Sequence, residues 1–161
     1  MADVAIHLWF ERDMEAAVAR YVALVPGSAI ERRAAVPQDS PSGPADTIGM
    51  LSFTLAGRPF RAIEAGPLDA FSRAISIMVE CDTQYEIDRL WDGLTADGGQ
   101  EERCGWLRDR WGVSWQIVPR MLGQAMAGSD RARAKRVGEA MMTMRRLDIA
   151  ALARAARGEQ G

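Results

Sequence analysis

An internal repeat constrains the fold of this chain more than any other feature of its sequence. A shift of 69 residues places His7 on Ser76 and aligns the apolar patterns that follow them. Near the ends of the two copies the shift falls to 52, which places Glu64 on Gln116. The sequence therefore predicts one module used twice, with a deletion of 17 residues in the second copy.

Each copy has the pattern of a strand, a helix and three further strands. Alternating apolar residues between turn signals predict the strands, and apolar residues at helical spacing predict the helices. We expect Asp13 to cap the first helix through its side-chain oxygen. The predicted elements are strands 4–10, 28–36, 47–55 and 60–65 around helix 14–24, and then strands 74–80, 100–103, 106–110 and 113–118 around helix 84–96.

The chain becomes helical after Pro119. The pattern predicts a short helix over 121–127, a second helix capped by Ser129 and a third capped by Asp148. We expect an α+β fold in which two βαβββ modules pair their mixed sheets into a cup, with C-terminal helices added. The predicted parts of this one compact domain are a first module over 1–70, a second module over 71–120 and a helical extension over 121–161.

The stretch 104–119 carries three of the five tryptophans: Trp106, Trp111 and Trp115. It predicts two strands around a turn, with Gln116 as a polar side chain in the second strand. Strands this rich in tryptophan must lie against an apolar wall or line a pocket. A pocket is an alternative because aromatic walls bind flat organic molecules well. We interpret the tryptophans mainly as core, and Trp106 and Trp115 as candidates for flanking a ligand.

Four polar positions come in symmetry-related pairs. His7 and Ser76 lie on the first strands of the two modules, and Glu64 and Gln116 lie on the last strands. If the modules pair their sheets, the four side chains converge in one cup. Polar groups on a buried face must find partners, so they either bind a ligand or serve as hydrogen-bonded structural residues. We predict that all four line a small-molecule pocket.

Charge and hydropathy exclude several classes of partner. The net charge of −2 offers no electrostatic basis for binding nucleic acid or an anionic membrane. No apolar run approaches the ~20 residues needed to cross a bilayer, and the N-terminus does not resemble a secretory signal. We therefore expect a cytoplasmic protein. Cys81 and Cys104 form no metal or redox motif, and we expect two reduced, buried thiols, with a disulfide or a reactive thiol as the alternatives.

Several short motifs are those of a known family. They include Leu8-Trp9-Phe10, Pro26-Gly27-Ser28, Gly57-Arg58-Pro59-Phe60, Asp88-Arg89-Leu90-Trp91 and Ser114-Trp115-Gln116-Ile117-Val118-Pro119. With these motifs, nearly the whole chain resembles the PhnB-like family, also called 3-demethylubiquinone 3-methyltransferase-like. That family is a branch of the vicinal-oxygen-chelate superfamily, which includes glyoxalase I, bleomycin-resistance proteins and extradiol dioxygenases.

The resemblance implies a site and an assembly. In metal-using members of the superfamily, two residues from each module bind one divalent ion. The matching positions here are His7, Glu64, Ser76 and Gln116. Only His7 and Glu64 carry side chains that are strong metal ligands, so they are the candidate ligands of a divalent metal, the candidate cofactor. The resemblance also implies a homodimer, and closed twofold association is the commonest state of oligomers.

Three functions are compatible with these observations. The first is a small-molecule-binding protein of the glyoxalase and bleomycin-resistance type, with an unknown organic ligand. The second is a metal-dependent lyase, isomerase or dioxygenase acting on vicinal oxygens, in which Glu64 is the catalytic residue that moves a proton. The third is an interaction role for the C-terminal helices. Methyl transfer is not supported, because the chain lacks the Gly-rich strand-to-helix turn that usually opens a site for a nucleotide-bearing methyl donor.

Overall fold

The computed structural model describes residues 2–159, and the chain divides into two units, Met1–Ala70 and Phe71–Gly161. The first unit contains β1 (Ile6–Phe10), α1 (Met14–Leu24), β2 (Ala29–Ala35), β3 (Gly49–Leu55) and β4 (Arg58–Glu64). Its sheet has the order β1-β4-β3-β2. β1 and β4 are parallel, and the other neighbours are antiparallel.

The second unit repeats this arrangement and adds three helices. It contains β5 (Ile77–Cys81), α2 (Gln84–Thr95), β6 (Gln100–Glu101), β7 (Trp106–Arg108), β8 (Ser114–Pro119), α3 (Arg120–Ala127), α4 (Arg131–Met142) and α5 (Ile149–Arg157). Its sheet has the order β5-β8-β7-β6, again with its first and last strands parallel. The predicted α+β class, with two mixed four-stranded sheets and C-terminal helices, is therefore confirmed.

Each unit forms its core between its sheet and its first helix. In the first unit, α1 buries Ala17, Val18 and Tyr21, and the sheet buries Phe10 and Phe53. In the second unit, the buried residues are Ile87, Leu90, Trp91 and Leu94 of α2 and Leu107, Trp115 and Ile117 of the sheet. Apolar residues at helical spacing on one element and at period two on the other produce this packing.

The helix starts show where the capping predictions were right and wrong. Thr83 and Glu86 form a reciprocal capping box at the start of α2, and Asp148 caps α5 as predicted. The prediction for Asp13 was wrong. Asp13 adopts a left-handed conformation with φ 60° and makes no side-chain capping bond. The prediction for the second C-terminal helix was also one residue off, since Asp130 and not Ser129 accepts the hydrogen bond there.

The C-terminal helices are packed into the second unit. Leu122, Val137, Leu147 and Leu152 form a buried cluster with Val118 of β8. The segment between α4 and α5 is also attached to α2, because the Gln84 side chain donates to the Leu147 carbonyl and accepts from the Ile149 amide, at 3.1 and 2.9 Å. Among residues 2–159, no helix is long and apolar enough to span a membrane.

Both cysteines are free thiols. Cys81 is buried at the end of β5, and burial raises its pKa to about 11. Because the thiolate is the reactive form, this shift makes Cys81 a poor nucleophile at neutral pH. Cys104 is only half-buried, so the expectation of two fully buried thiols holds for Cys81 alone.

We expect Leu147→Ala to lower the free energy of unfolding by about 3 kcal/mol, because it leaves a cavity in the cluster that joins the C-terminal helices to β8. Urea denaturation of the full-length chain, followed by circular dichroism, measures this change. Met142→Ala is the control, since Met142 is 60% exposed at the end of α4, and it should change stability by less than about 0.5 kcal/mol. Equal effects of the two substitutions would show that the cluster does not stabilise the second unit.

Candidate functional site

Each sheet has a face covered by the first helix of its unit and a face opposite that helix. Side chains alternate between the faces, and residues paired on neighbouring strands share a face. In the first unit, Leu8 and Phe10 lie on the α1 face and are buried. His7 therefore lies on the face opposite α1. Its paired neighbour on β4 is Arg61, which shares that face.

A row of polar side chains crosses the face opposite α1. His7 on β1 pairs with Arg61 on β4, Arg61 with Ser52 on β3, and Ser52 with Arg32 on β2. Arg61 Nη1 donates a hydrogen bond to Ser52 Oγ at 3.2 Å. The row lines a depression of about 240 Å³, with Met50 also at its surface. This face is therefore polar and basic around His7.

Glu64 lies on the other face of the same sheet. It pairs with Phe10, whose side chain is buried under α1. Its Oε2 atom accepts a hydrogen bond from the backbone amide of Met14, the first residue of α1, at 2.8 Å. Glu64 thus supplies the capping acceptor that was predicted for Asp13, and a carboxylate at this end also complements the helix dipole.

The structure therefore does not bring His7 and Glu64 together in the first unit. The predicted alignment of the two copies was wrong by one residue at their last strands. Trp9 pairs with Ile63, and its counterpart in the second copy, Met78, pairs with Gln116. The counterpart of Gln116 is accordingly Ile63 and not Glu64. In a strand, a slip of one residue moves a side chain to the opposite face.

The residues of the first unit do not fit a divalent metal held by His7 and Glu64. The two side chains leave opposite faces of the sheet, and the Glu64 carboxylate is engaged at the start of α1. The nearest residue across from His7 is Arg61, whose positive charge repels a cation. Within the described part of the chain, no three His, Cys, Asp or Glu side chains are grouped closely enough to hold a metal ion.

In the second unit, the face opposite α2 carries a different row. Met78 on β5 pairs with Gln116 on β8, and Gln116 pairs with Trp106 on β7. Gln116 Nε2 donates a hydrogen bond to Ser76 Oγ at 2.8 Å. Ser76, Gln116 and Trp106 are half-buried, and the Met78 side chain is exposed. Three of the predicted ligand-binding residues are therefore close neighbours on one face.

Ser114 shares this face with Gln116, two residues further along β8. It is only 2% exposed, and its hydroxyl has no hydrogen-bond partner in the described residues. A buried hydroxyl without a partner is unusual, because its desolvation is not compensated. The sequence analysis missed Ser114, although its period-two spacing from Gln116 placed it on the same face.

Trp115, predicted to flank a ligand, lies instead in the core. Its side chain is 0% exposed on the α2 face, and its indole Nε1 donates to Asp109 Oδ2 at 3.0 Å. Asp109 Oδ1 also accepts from the amides of Trp111 and Val113, at 2.9 and 3.0 Å. This buried carboxylate therefore organises the turn between β7 and β8. An aspartate three residues before Gly112 was the available signal for that role.

A protein-family model matches most of the chain. The model described as 3-demethylubiquinone-9 3-methyltransferase matches residues 2–118, which cover both βαβββ modules. None of the functionally curated proteins matches the chain.

Solved structures share the fold. A putative 3-demethylubiquinone-9 3-methyltransferase, PhnB protein, from Bacillus cereus is 29% identical, with a TM-score of 0.64 over 73% of this chain and 99% of that chain. The fosfomycin resistance protein FosX from Mesorhizobium loti is 14% identical, with a TM-score of 0.55 over 79% and 98%. A mutant of FosX from Listeria monocytogenes, complexed with Mn(II) and 1S,2S-dihydroxypropylphosphonic acid, is 14% identical, with a TM-score of 0.51 over 73% and 92%. At 14% identity the FosX structures indicate the fold alone.

We expect Glu64→Ala to lower the free energy of unfolding by about 1 kcal/mol, because the Met14 amide loses its acceptor and α1 loses a favourable charge. Glu64→Gln keeps an acceptor oxygen and should lose less. Urea denaturation with and without added MnCl2 measures both effects, and we expect manganese to leave them unchanged.

Glu15→Ala is the matched control, since it removes the same charge from the first turn of α1. Glu15 is exposed and pairs with Arg33 at 3.5 Å, and surface ion pairs contribute less than about 1 kcal/mol. A loss on Glu64→Ala that grows on adding manganese would instead identify Glu64 as a metal ligand.

Proposed function

The chain belongs to the 3-demethylubiquinone-9 3-methyltransferase family, the PhnB-like branch of the vicinal-oxygen-chelate superfamily, and from that premise we propose that it binds a small organic molecule on the face opposite α2. The binding site is formed by Ser76, Ser114, Gln116 and Trp106. The fold is of the glyoxalase and bleomycin-resistance type, whose superfamily binds small molecules.

The observation that carries the proposal is the buried Ser114 hydroxyl without a partner. The hydroxyl is covered in the free chain, and a ligand that displaces the side chains covering it would supply the missing hydrogen bond and remove the desolvation cost. Gln116 lies two residues away on the same face. The amide that it extends to Ser76 has a second N–H and a carbonyl oxygen with which to bind a polar group.

Apolar contacts on the same face favour an aromatic ligand. Trp106 pairs directly with Gln116 and is half-buried, and the Arg73 guanidinium lies over its ring at 6.0 Å, so a ligand contacts the part of the ring that stays exposed. Met78 lies on the other side of Gln116 with 55% of its surface exposed. A thioether and an indole on either side of an amide form a surface suited to a flat ring that carries one polar group.

The metal-dependent enzyme has weaker support. A FosX structure complexed with Mn(II) makes a divalent metal compatible with this fold. In this chain, however, the first unit places Glu64 at the start of α1, and the Ser76–Gln116 pair offers a hydroxyl and an amide, which are weak ligands. We therefore derive no metal-dependent step and assign Glu64 no catalytic role.

The family's description names a methyltransferase, and the arrangement of strands does not favour that activity. Nucleotide-bearing cofactors commonly bind at the carboxyl ends of an open parallel sheet, where a Gly-rich turn begins a helix. Within residues 2–159, each sheet has only one parallel pair of strands, β1–β4 or β5–β8. The proposed function is therefore binding and not methyl transfer. We place the protein in the cytoplasm, where a reducing environment keeps Cys81 and Cys104 as thiols.

The proposal predicts that phenol, acetanilide or benzamide binds to the second unit. In saturation-transfer-difference NMR with the full-length chain, we expect at least one of these one-ring molecules to bind. Ser114→Ala should weaken that binding about fivefold, the effect of losing one hydrogen bond, while it leaves stability unchanged or slightly raised, because the hydroxyl has no partner in the protein. Trp106→Ala should abolish detectable binding.

Ser129→Ala is the matched control, because it removes the same hydroxyl from an exposed site between α3 and α4. It should leave affinity unchanged. The proposal would be overturned if none of the three molecules bound, or if Ser114→Ala lowered stability without changing the affinity for a molecule that did bind.

We also propose a homodimer. Large apolar side chains at the first strand of the first unit support it, since Val4 is 85% exposed and Ile6 is 40% exposed. Sedimentation equilibrium should give the mass of two chains, and Ile6→Lys should shift it toward the monomer. Tyr85→Lys is the control, because Tyr85 is a large side chain that is 74% exposed on α2, and it should not change the mass. A monomeric wild-type chain would contradict the proposal.

A further inference from the structure

The row His7, Arg61, Ser52 and Arg32 has a composition that the function proposed above does not use. All four residues belong to the first unit and lie side by side on the face opposite α1, one on each strand of the sheet. Adjacent strands are about 4.8 Å apart, so Arg61 and Arg32 stand roughly 10 Å apart with Ser52 between them. The row therefore places one guanidinium group on each side of the Ser52 hydroxyl.

The described part of the chain does not neutralise the two guanidinium groups. Among residues 2–159, neither Arg61 nor Arg32 forms an ion pair with a carboxylate. Arg33, the next residue of β2, pairs with Leu51 of the α1 face and makes an ion pair with Glu15. Two neighbours on one strand therefore differ: Arg33 has an acidic partner on the α1 face, and Arg32 has none among residues 2–159 on the opposite face.

The hydrogen-bond geometry leaves donors available at the centre of the row. Arg61 Nη1 donates to Ser52 Oγ, so the guanidinium is held toward the middle of the sheet. Because Ser52 Oγ is the acceptor of that bond, its own O–H remains available to donate. The centre of the row therefore offers several hydrogen-bond donors and positive charge. The donors are this O–H, the remaining N–H groups of Arg61 and the N–H groups of Arg32.

The depression in front of this row is small. Its volume is about 240 Å³, below the roughly 300–1,000 Å³ typical of sites that enclose a drug-sized molecule. Ala34 and Met50 are among the residues that line it. A space of this size, bordered by two cations and a hydroxyl, suits a compact anionic group.

We propose that the face opposite α1 binds an oxyanion, a phosphate or carboxylate group, between Arg61 and Arg32 and above Ser52, with His7 at the end of the row. Each guanidinium can donate two parallel hydrogen bonds to such a group, and the anion offsets the repulsion between the two cations. The site lies in the first unit and does not rest on the binding function proposed for the second.

Isotope-edited NMR of the full-length chain tests the proposal. Spectra are recorded during titration with sodium phosphate and, separately, with sodium acetate, at an ionic strength held constant with sodium chloride. We expect saturable shifts of the Ser52 and Arg61 amides with at least one anion, with a dissociation constant on the order of 1 mM because the row is exposed to solvent. Preference for phosphate or for acetate shows whether the site favours a tetrahedral oxyanion or a planar carboxylate.

Arg61→Gln and Arg32→Gln should each weaken this binding about tenfold, as expected for loss of a charge-assisted pair. Arg33→Gln is the matched control, because it removes the same charge from the same strand on the α1 face, and it should change the affinity less than twofold.

Two results would overturn the proposal: no saturable shift with either anion, or equal weakening by Arg33→Gln, which would indicate attraction to net charge alone. Measuring the binding of phenol, acetanilide and benzamide on the same variants separates this proposal from that for the second unit, because either site can fail without the other.

Discussion

The parallel pairing of the first and last strands in each module decides which side chains can reach a ligand. In the first unit this register sends Leu8, Phe10 and Glu64 toward α1 and His7 and Arg61 to the other face. In the second unit it sends Trp115 and Ile117 toward α2 and Gln116 to the other face. The backbone hydrogen bonds of each sheet thus decide which face a side chain occupies, and therefore whether it can contact a ligand.

The two modules share a backbone plan and differ in chemistry. The first presents a basic row that contains His7 and Arg61, and the second presents an uncharged row of Met78, Gln116 and Trp106. Both rows occupy the face that the module's own helix leaves free. The two modules therefore share a scaffold, while a few positions on this face give the two sheets different chemistry.

The order and type of the elements could be predicted from the sequence, because each helix and most strands carry a clear apolar period and a cap or turn. The site was harder to predict. Strands of five to seven residues offer few positions for aligning the two copies, and one residue in the shift, 52 or 53, decides whether Glu64 or Ile63 matches Gln116. Composition also does not reveal that the Glu64 carboxylate replaces Asp13 at the start of α1, because the two are 51 positions apart and meet only in the folded sheet.

The packing of α3 to α5 on Val118 makes the two halves of the repeat unequal as building blocks. A protein engineer who wished to join two identical copies into a symmetric molecule could not take the second module and stop at Pro119, since the apolar end of β8 would lose its cover. The shorter, second copy thus depends on the helices that follow it to cover its apolar surface, whereas α1 is the only helix among the described residues of the first unit.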